Sequence, residues 1–426
     1  MDHRSLADDL LATLGPLPGS VAPRYDGRGI AALGPTLLRA FGVEHHHPAL
    51  APEALPPALL DGVKRVVCLI VDAFGYLQLL DELARQPDLY LGQLLARDGV
   101  SFAPLTSTFP STTVNALTTM NTAALPAEHG ILGYTLYLWE LGAVSEMIRF
   151  GPFTGDWRYA DAGVDPRDFL ARTGVGPLYG RLRAEAGVAP FMVNYQGYRN
   201  TALTQMHSTG TEYVPYLDLA DMVVHLRQLL EQPSPERMLI SAYYGVLDGI
   251  THVYGTGSPE HAAEVAKIDF VLRRELFERV RQPDTLFLML ADHGHINCTP
   301  ERTIDLLDHP ELLRGLVAAP TGEGRARYLH VRHGHKDAVR TYLTDRFGDV
   351  STLINSEEAI SLGLFGAVPP SQATRERVGD LVLLPHENWY FHHYPTERLK
   401  PMTIIGRHGG LAPEEMLVPL IATRLG

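Results

Sequence analysis

A chain of 426 residues with 45% hydrophobic and 20% charged side chains can bury a large core and is not a disordered polymer. Its net charge is −13 and it holds no lysine/arginine run, which excludes a general nucleic-acid surface built on a basic footprint. Two cysteines exclude a disulfide framework, the acidic N-terminus lacks an apolar leader, and no apolar run is long enough to span a bilayer, so a cytoplasmic protein away from membranes is expected.

Residues 1–60 are rich in Ala, Leu and Pro and read as a short helix followed by an extended lead-in. His45, His46 and His47 within it read as a solvated turn rather than a metal site. Next comes Arg65-VVCLIVDAFG. Its apolar run has no alternation, as in a strand buried on both faces of a parallel sheet. It ends at Asp72, and a helical pattern follows from Tyr76 to about Ala96. In open α/β sheets, ligands bind beyond the carboxyl ends of the strands. Asp72 is therefore either a helix cap or a metal ligand.

The stretch Ser101–Tyr134, SFAPLTSTFPSTTVNALTTMNTAALPAEHGILGY, offers three consecutive hydroxyls, Ser111, Thr112 and Thr113, before a helix of small residues. Capping explains one hydroxyl. A helix N-terminus also suits an anion. Residues 135–235 read as turn-rich, aromatic excursions over the site's mouth, with one core strand near Pro190–Asn194 and a helix near Leu219–Glu231.

A second buried strand begins at Met238 and leads into Asp248-Gly-Ile-Thr-His252. The D-x-x-x-H spacing puts both side chains on one side of a helical turn, within reach of one ion. A helix is expected over Pro259–Arg281. A third buried strand, Thr285-LFLMLA, ends in Asp292-His293-Gly294-His295, where Gly294 permits a sharp turn. Residues 296–402 read as an insertion with short strands at Arg327–Val331 and Leu381–Leu384 and a helix at Lys336–Phe347; His386, His392 and His393 take no role. The core resumes at Thr403, where His408 is flanked by Gly406, Gly409 and Gly410, and ends in a strand near Met416–Ala422.

Together these pieces give two sets of N/O ligands, Asp72, Asp292 and His293 in one and Asp248, His252 and His408 in the other. Such sets suit zinc and similar ions, and two ions about 4 Å apart clamp both oxygens of an in-line phosphoryl transfer.

The order of LIVDAFG, FPSTTVNALTTMNTAALPAEHGILGY, LDGITHVYG, LADHGH and GRHGG resembles the alkaline phosphatase superfamily, and most closely its type I phosphodiesterase/nucleotide pyrophosphatase branch in bacterial cytoplasmic form. The resemblance covers residues 65–426, with the lead-in and the insertion poorly matched. It implies an α/β fold: an alkaline-phosphatase-like core with a largely parallel sheet between helices, spanning 61–295 and 403–426. The 1–60 lead-in and a smaller inserted α+β subdomain or cap over 296–402 complete it. It also implies that Asp72, Asp292, His293 and the nucleophile bind one zinc, and that Asp248, His252 and His408 bind the other. Manganese or another divalent ion suits the same ligands. Thr113 is the preferred nucleophile, because the places nine, ten, thirteen and sixteen residues on hold Thr122, Ala123, Pro126 and His129, as the superfamily pattern requires. Thr112 is the runner-up. Thr108 stands directly before Phe-Pro, as the nucleophile does in many members, but matches none of those places.

Two departures stand out: Ala123 replaces a usual Gly, and Tyr134 falls where nucleotide pyrophosphatases place an Asn against a phosphate oxygen. The implied activity is hydrolysis of a small phosphodiester or phosphoanhydride through a phosphothreonine, with Tyr134 assisting. A phosphomonoesterase or phosphonate hydrolase, and a non-catalytic nucleotide-binding protein, are the alternatives. No nucleic-acid polymer or membrane partner is implied, and the oligomeric state is open.

Overall fold

The computed structural model describes residues 4–13, 15–232, 237–394 and 404–426. Thr403, read as the point where the core resumes, and the last residues of the 296–402 segment lie outside these.

The uninterrupted apolar runs form the middle of a seven-stranded sheet. Its order is Ser101–Thr106, Leu417–Leu425, Gln282–Leu290, Arg65–Val71, Arg237–Tyr244, Val188–Tyr195 and Glu212–Tyr216. Arg65–Val71 lies parallel to both neighbours, with Val67 opposite Ile240 on one side and Phe287 on the other. From Val66 to Val71 every side chain is buried, and so is every one from Thr285 to Leu290. Helices cover both faces of such strands, so neither face alternates in polarity. Leu417–Leu425 alone runs antiparallel, against Ser101–Thr106 on one side and Gln282–Leu290 on the other.

This topology fixes where chemistry gathers. Asp72, Asp292 and the Ser107–Thr113 segment all follow the carboxyl ends of parallel strands and so reach one edge of the sheet. A segment that precedes the antiparallel strand reaches the same edge. His408 therefore comes before its strand in sequence, although the other groups follow theirs.

A second seven-stranded sheet is antiparallel, in the order Ser351–Asn355, Leu381–Pro385, Ala326–Leu329, Thr321–Glu323, Thr135–Leu138, Ala143–Glu146 and Gly151–Pro152. Its middle joint pairs Gly322 with Thr135. This corrects the reading of residues 135–152 as excursions: they are strands that complete a sheet begun in the distant 321–385 segment. Short strands of mixed polarity are hard to see in sequence when their partners are far along the chain. The expected strands near 327–331 and 381–384 and the helix Lys336–Phe347 are present.

Other boundaries differ. The pattern from Tyr76 to Ala96 is two helices, Tyr76–Arg85 and Tyr90–Leu95, broken around Pro87. The helix expected over Pro259–Arg281 runs regularly only to Leu272, then widens into a looser turn over Arg273–Phe277. The expected core strand and helix within 135–235 are Val188–Tyr195 and Leu219–Glu231. In the lead-in, Leu33–Ala40 is a largely buried helix packed against the helix Thr113–Thr122. His47 is 5% exposed, so the histidine run is not a fully solvated turn.

Candidate active site

The three hydroxyls at the start of the Thr113–Thr122 helix have separate partners. Ser111 Oγ donates to the Gly410 carbonyl at 2.8 Å and accepts from the Gly409 N–H at 3.2 Å, tying this turn to the glycine-flanked loop of His408. Thr112 occupies the N-cap position with extended backbone, but its side chain makes no capping bond. It donates instead to Oε1 of Glu323 at 2.8 Å. Thr113, the first helical residue, puts Oγ1 3.2 Å from Nε2 of His293. Thr108 is fully buried, its hydroxyl 3.4 Å from the Pro110 carbonyl. Of the four hydroxyls, Thr113 is the one that faces His293 and the carboxylates beside it, Asp72 and Asp292.

His293 Nε2 also lies 3.4 Å from Asp72 Oδ1 and 3.5 Å from Asp292 Oδ2. Asp292 Oδ1 accepts from the N–H groups of Ala73 and His293, which fixes that carboxylate. Tyr243 donates its hydroxyl to Asp72 Oδ2. The second set is equally close. Asp248 and His252 are four apart on the helix Val246–Tyr254, with Oδ1 and Nε2 separated by 3.4 Å. The His408 ring stacks on that of His293 at 3.8 Å and lies 5.1 Å from that of His252. All seven residues expected from the sequence to form the two ligand sets therefore gather at one edge of the sheet.

Three imidazoles share a brace. Nδ1 of His252 donates to the Gly406 carbonyl at 2.7 Å, that of His293 to the Gly294 carbonyl at 3.1 Å, and that of His408 to the Ser111 carbonyl at 3.0 Å. Each bond fixes the tautomer that leaves Nε2 as a lone-pair donor toward the centre, the arrangement usual for metal-ligating histidines. Meanwhile Asp72 Oδ1 and Asp292 Oδ2 are buried without a hydrogen-bond partner among the described residues. Orphaned buried carboxylate oxygens facing undonated imidazole nitrogens fit a divalent cation.

The electrostatics agree. Burial, together with the charges of Asp292 and Asp248, raises the Asp72 carboxyl well above its ordinary range. Burial would also raise Asp248, but His252, His295 and His408 hold it low. Burial and the neighbouring imidazoles push His408 far below its ordinary range. A dication would relieve the crowding of carboxylates and use the neutral rings.

Three groups escaped the sequence reading. His295, fully buried, sits 2.8 Å from Asp248 Oδ1 and joins Asp248, His252 and His408 in one compact group. Its signal was the second His of the DHGH run. Tyr243 left no local signal, because its partner Asp72 is 171 residues away. Glu323 comes from the second sheet and accepts from Thr112 and from the Tyr134 N–H at 2.7 Å. Tyr134 is thus held by its backbone at the rim, with its ring edge-on to Phe153. His386 and His392 have partners elsewhere, Thr352 and Asp305.

Space opens on both sides of Thr113 and Asp248. One cavity of ≈ 190 Å³ is lined by Asp72, Asn121, Asn194, Tyr198 and Tyr243. The other, ≈ 350 Å³, is lined by Tyr134, Phe153, Glu323, Tyr390, Arg407 and His408.

The chain is similar in fold to solved structures of murine ectonucleotide pyrophosphatase/phosphodiesterase 5, at 17% identity over 84% of this chain and 87% of that one, with a TM-score of 0.61. One of these is an inactive threonine-to-alanine variant in complex with AMP. It is also similar to phosphonoacetate hydrolase from Sinorhizobium meliloti in complex with phosphonoacetate, at 18% identity over 84% and 89% of the two chains, with a TM-score of 0.59. No curated protein matches. No helix among the described residues is long and apolar enough to cross a membrane. The sequence model of the family described as type I phosphodiesterase/nucleotide pyrophosphatase matches residues 66–411, and the chain belongs to that family of phosphoester hydrolases.

Proposed function

We propose that the chain is a two-metal phosphodiesterase acting on small phosphodiesters or nucleotide phosphoanhydrides, with Thr113 as nucleophile. The observation that carries this is the position of the Thr113 hydroxyl. It stands at a helix N-terminus and faces the group formed by His293, Asp72 and Asp292. The murine relative whose threonine-to-alanine variant is inactive supports a threonine in that role.

Asp72, Asp292, His293 and Thr113 would hold one ion and Asp248, His252 and His408 the other, zinc being well suited to the set. When bound, such ions neutralise phosphoryl charge and lower the pKa of an attacking hydroxyl or water. The chain's own residues do the rest. Thr113 Oγ1 attacks phosphorus as its proton passes to solvent, from which the departing ester oxygen is reprotonated. The bond to the leaving ester oxygen breaks, and a phosphothreonine forms. Water then displaces Thr113 from phosphorus in the same in-line manner. Backbone N–H groups at the start of the helix have no intrahelical partners and are aimed at the phosphoryl oxygens. The Tyr134 hydroxyl is assigned to the same task from the cavity rim. The two cavities, meeting at Thr113 and Asp248, give each substituent of a diester its own space.

The test is a comparison of bis-p-nitrophenyl phosphate with p-nitrophenyl phosphate on zinc-loaded protein, with a chelator control. Chelator-sensitive preference for the diester is expected. Preference for the monoester, or turnover indifferent to chelation, would overturn the reading. Faster release of phosphate from phosphonoacetate than from any diester would favour the phosphonate hydrolase alternative on the same residues.

A further inference from the structure

Away from the catalytic cavities, two segments distant in sequence bring a second kind of N/O cluster together. Nε2 of His47 lies 2.7 Å from Oε2 of Glu128, and Nε2 of His46 lies 3.7 Å from Oε1. One ligand atom from each of the three lies within 4.8 Å of the others. We propose that His46, His47 and Glu128 form a further divalent-metal site, of the imidazole/carboxylate class that takes zinc or nickel, which clips the lead-in onto the turn after the Thr113–Thr122 helix.

A His47–Glu128 hydrogen bond by itself explains the buried half of the cluster. It does not explain His46. That ring is 72% exposed and free to point into water, yet it stacks against its neighbours with its Nε2 toward the second carboxylate oxygen. Ligand atoms about 2 Å from one ion lie roughly 3.3 Å apart in a tetrahedral site, so a slight opening of the 2.7 Å His47–Glu128 pair and a slight approach of His46 from 3.7 Å complete three ligands and leave a fourth position for water. The backbone is prepared for this. The Arg39 guanidinium donates to the carbonyls of both His45 and His47, holding the run in its turn. The carboxylate is prepared too. Its Oε2 accepts from the Leu125 N–H at 2.7 Å while facing His47 Nε2, which fixes the carboxylate toward the histidine run.

The clip joins residues 81 apart. The nucleophile helix, ten residues and hence about 15 Å long, separates it from the catalytic centre. Its role is therefore structural, and it does not rest on the catalytic reading.

The test uses untagged full-length protein, stripped by chelation and titrated with Zn2+ and separately with Ni2+, with bound metal counted by elemental analysis. His46→Ala changes an exposed side chain and leaves the His47–Glu128 bond intact. We expect it to weaken one ion per chain by tenfold or more while diester hydrolysis is kept, and the double change His46→Ala/His47→Ala to remove that ion. Asp248→Ala/His252→Ala is expected to keep it. Equal metal counts and affinities for the wild type and both lead-in variants would overturn the proposal and leave a hydrogen bond only.

Discussion

His295 places Nε2 2.8 Å from Oδ1 of Asp248, yet its Nδ1 is buried without a hydrogen-bond partner among the described residues. The other three imidazoles of the centre have the opposite arrangement, with Nδ1 on a backbone carbonyl and Nε2 left for an ion. Facing an ionised carboxylate, His295 donates from Nε2, and we expect it to aim Asp248 rather than to add a ligand. Removing an outer partner of this kind costs about 10–100-fold in metal affinity. His295→Ala should lose that much at the Asp248 group, and His295→Gln, which keeps an N–H donor, should recover part of it. A cobalt(II) absorption spectrum checks the assignment. Loss of a nitrogen ligand in both variants would show that His295 binds metal directly.

The hydroxyl series separates the three candidate nucleophiles. Thr113→Ala is expected to lower turnover by at least about 10³-fold, the scale seen when an attacking group is removed. Thr112→Ala loses only its bond to Glu323 and should cost about tenfold or less. Thr108→Ala should leave turnover nearly unchanged, since its hydroxyl faces only a backbone carbonyl. Single-turnover rates on the diester reporter decide the ranking. Full activity in Thr113→Ala would end the nucleophile assignment.

Ala123, at the place where the resemblance implies a Gly, has φ of 60°. The left-handed region costs an L side chain roughly 1–2 kcal/mol. The fold makes room for it: a Cβ built on Gly34 would stand 2.7 Å from both Cα and Cβ of Ala123. Ala123→Gly relieves the strain and adds chain entropy to the unfolded state, for a net gain of about 1 kcal/mol. Gly34→Ala should destabilise by more than that. Urea unfolding reads both, and a loss on Ala123→Gly would contradict the strain argument.

His129 and His207 buttress the same helix, with Nε2 atoms 2.9 Å from the Thr119 hydroxyl and 3.0 Å from that of Thr118. Burial pushes each imidazole down to about 3. Below the ordinary histidine value near 6.5 the unfolded chain takes up protons that the folded chain refuses. Their contribution is therefore complete above that value and is lost as pH falls toward 3, at up to about 1.4 kcal/mol per pH unit for each. His207→Gln should flatten the slope of apoprotein unfolding free energy against pH between about 4.5 and 6.5. An unchanged slope would mean that the native state protonates this ring.

The sequence by itself determined the parts that depend on local pattern. Unbroken apolar runs marked the central strands, and an acid at the end of each marked Asp72 and Asp292. The spacing of Asp248 and His252 needed only the pitch of a helix. Tertiary structure decided what depends on a distant partner. Thr135–Leu138, and through it Ala143–Glu146 and Gly151–Pro152, joins a sheet because Gly322 pairs with Thr135. His295 meets Asp248 through Nε2 across 47 residues, while the Nδ1 atoms of His252, His293 and His408 meet backbone carbonyls. Glu323 reaches Thr112 across 211 residues. Periodicity encodes which face of an element is buried, but not which donor a hydroxyl or a ring nitrogen finds, because that is fixed only when separate segments pack together.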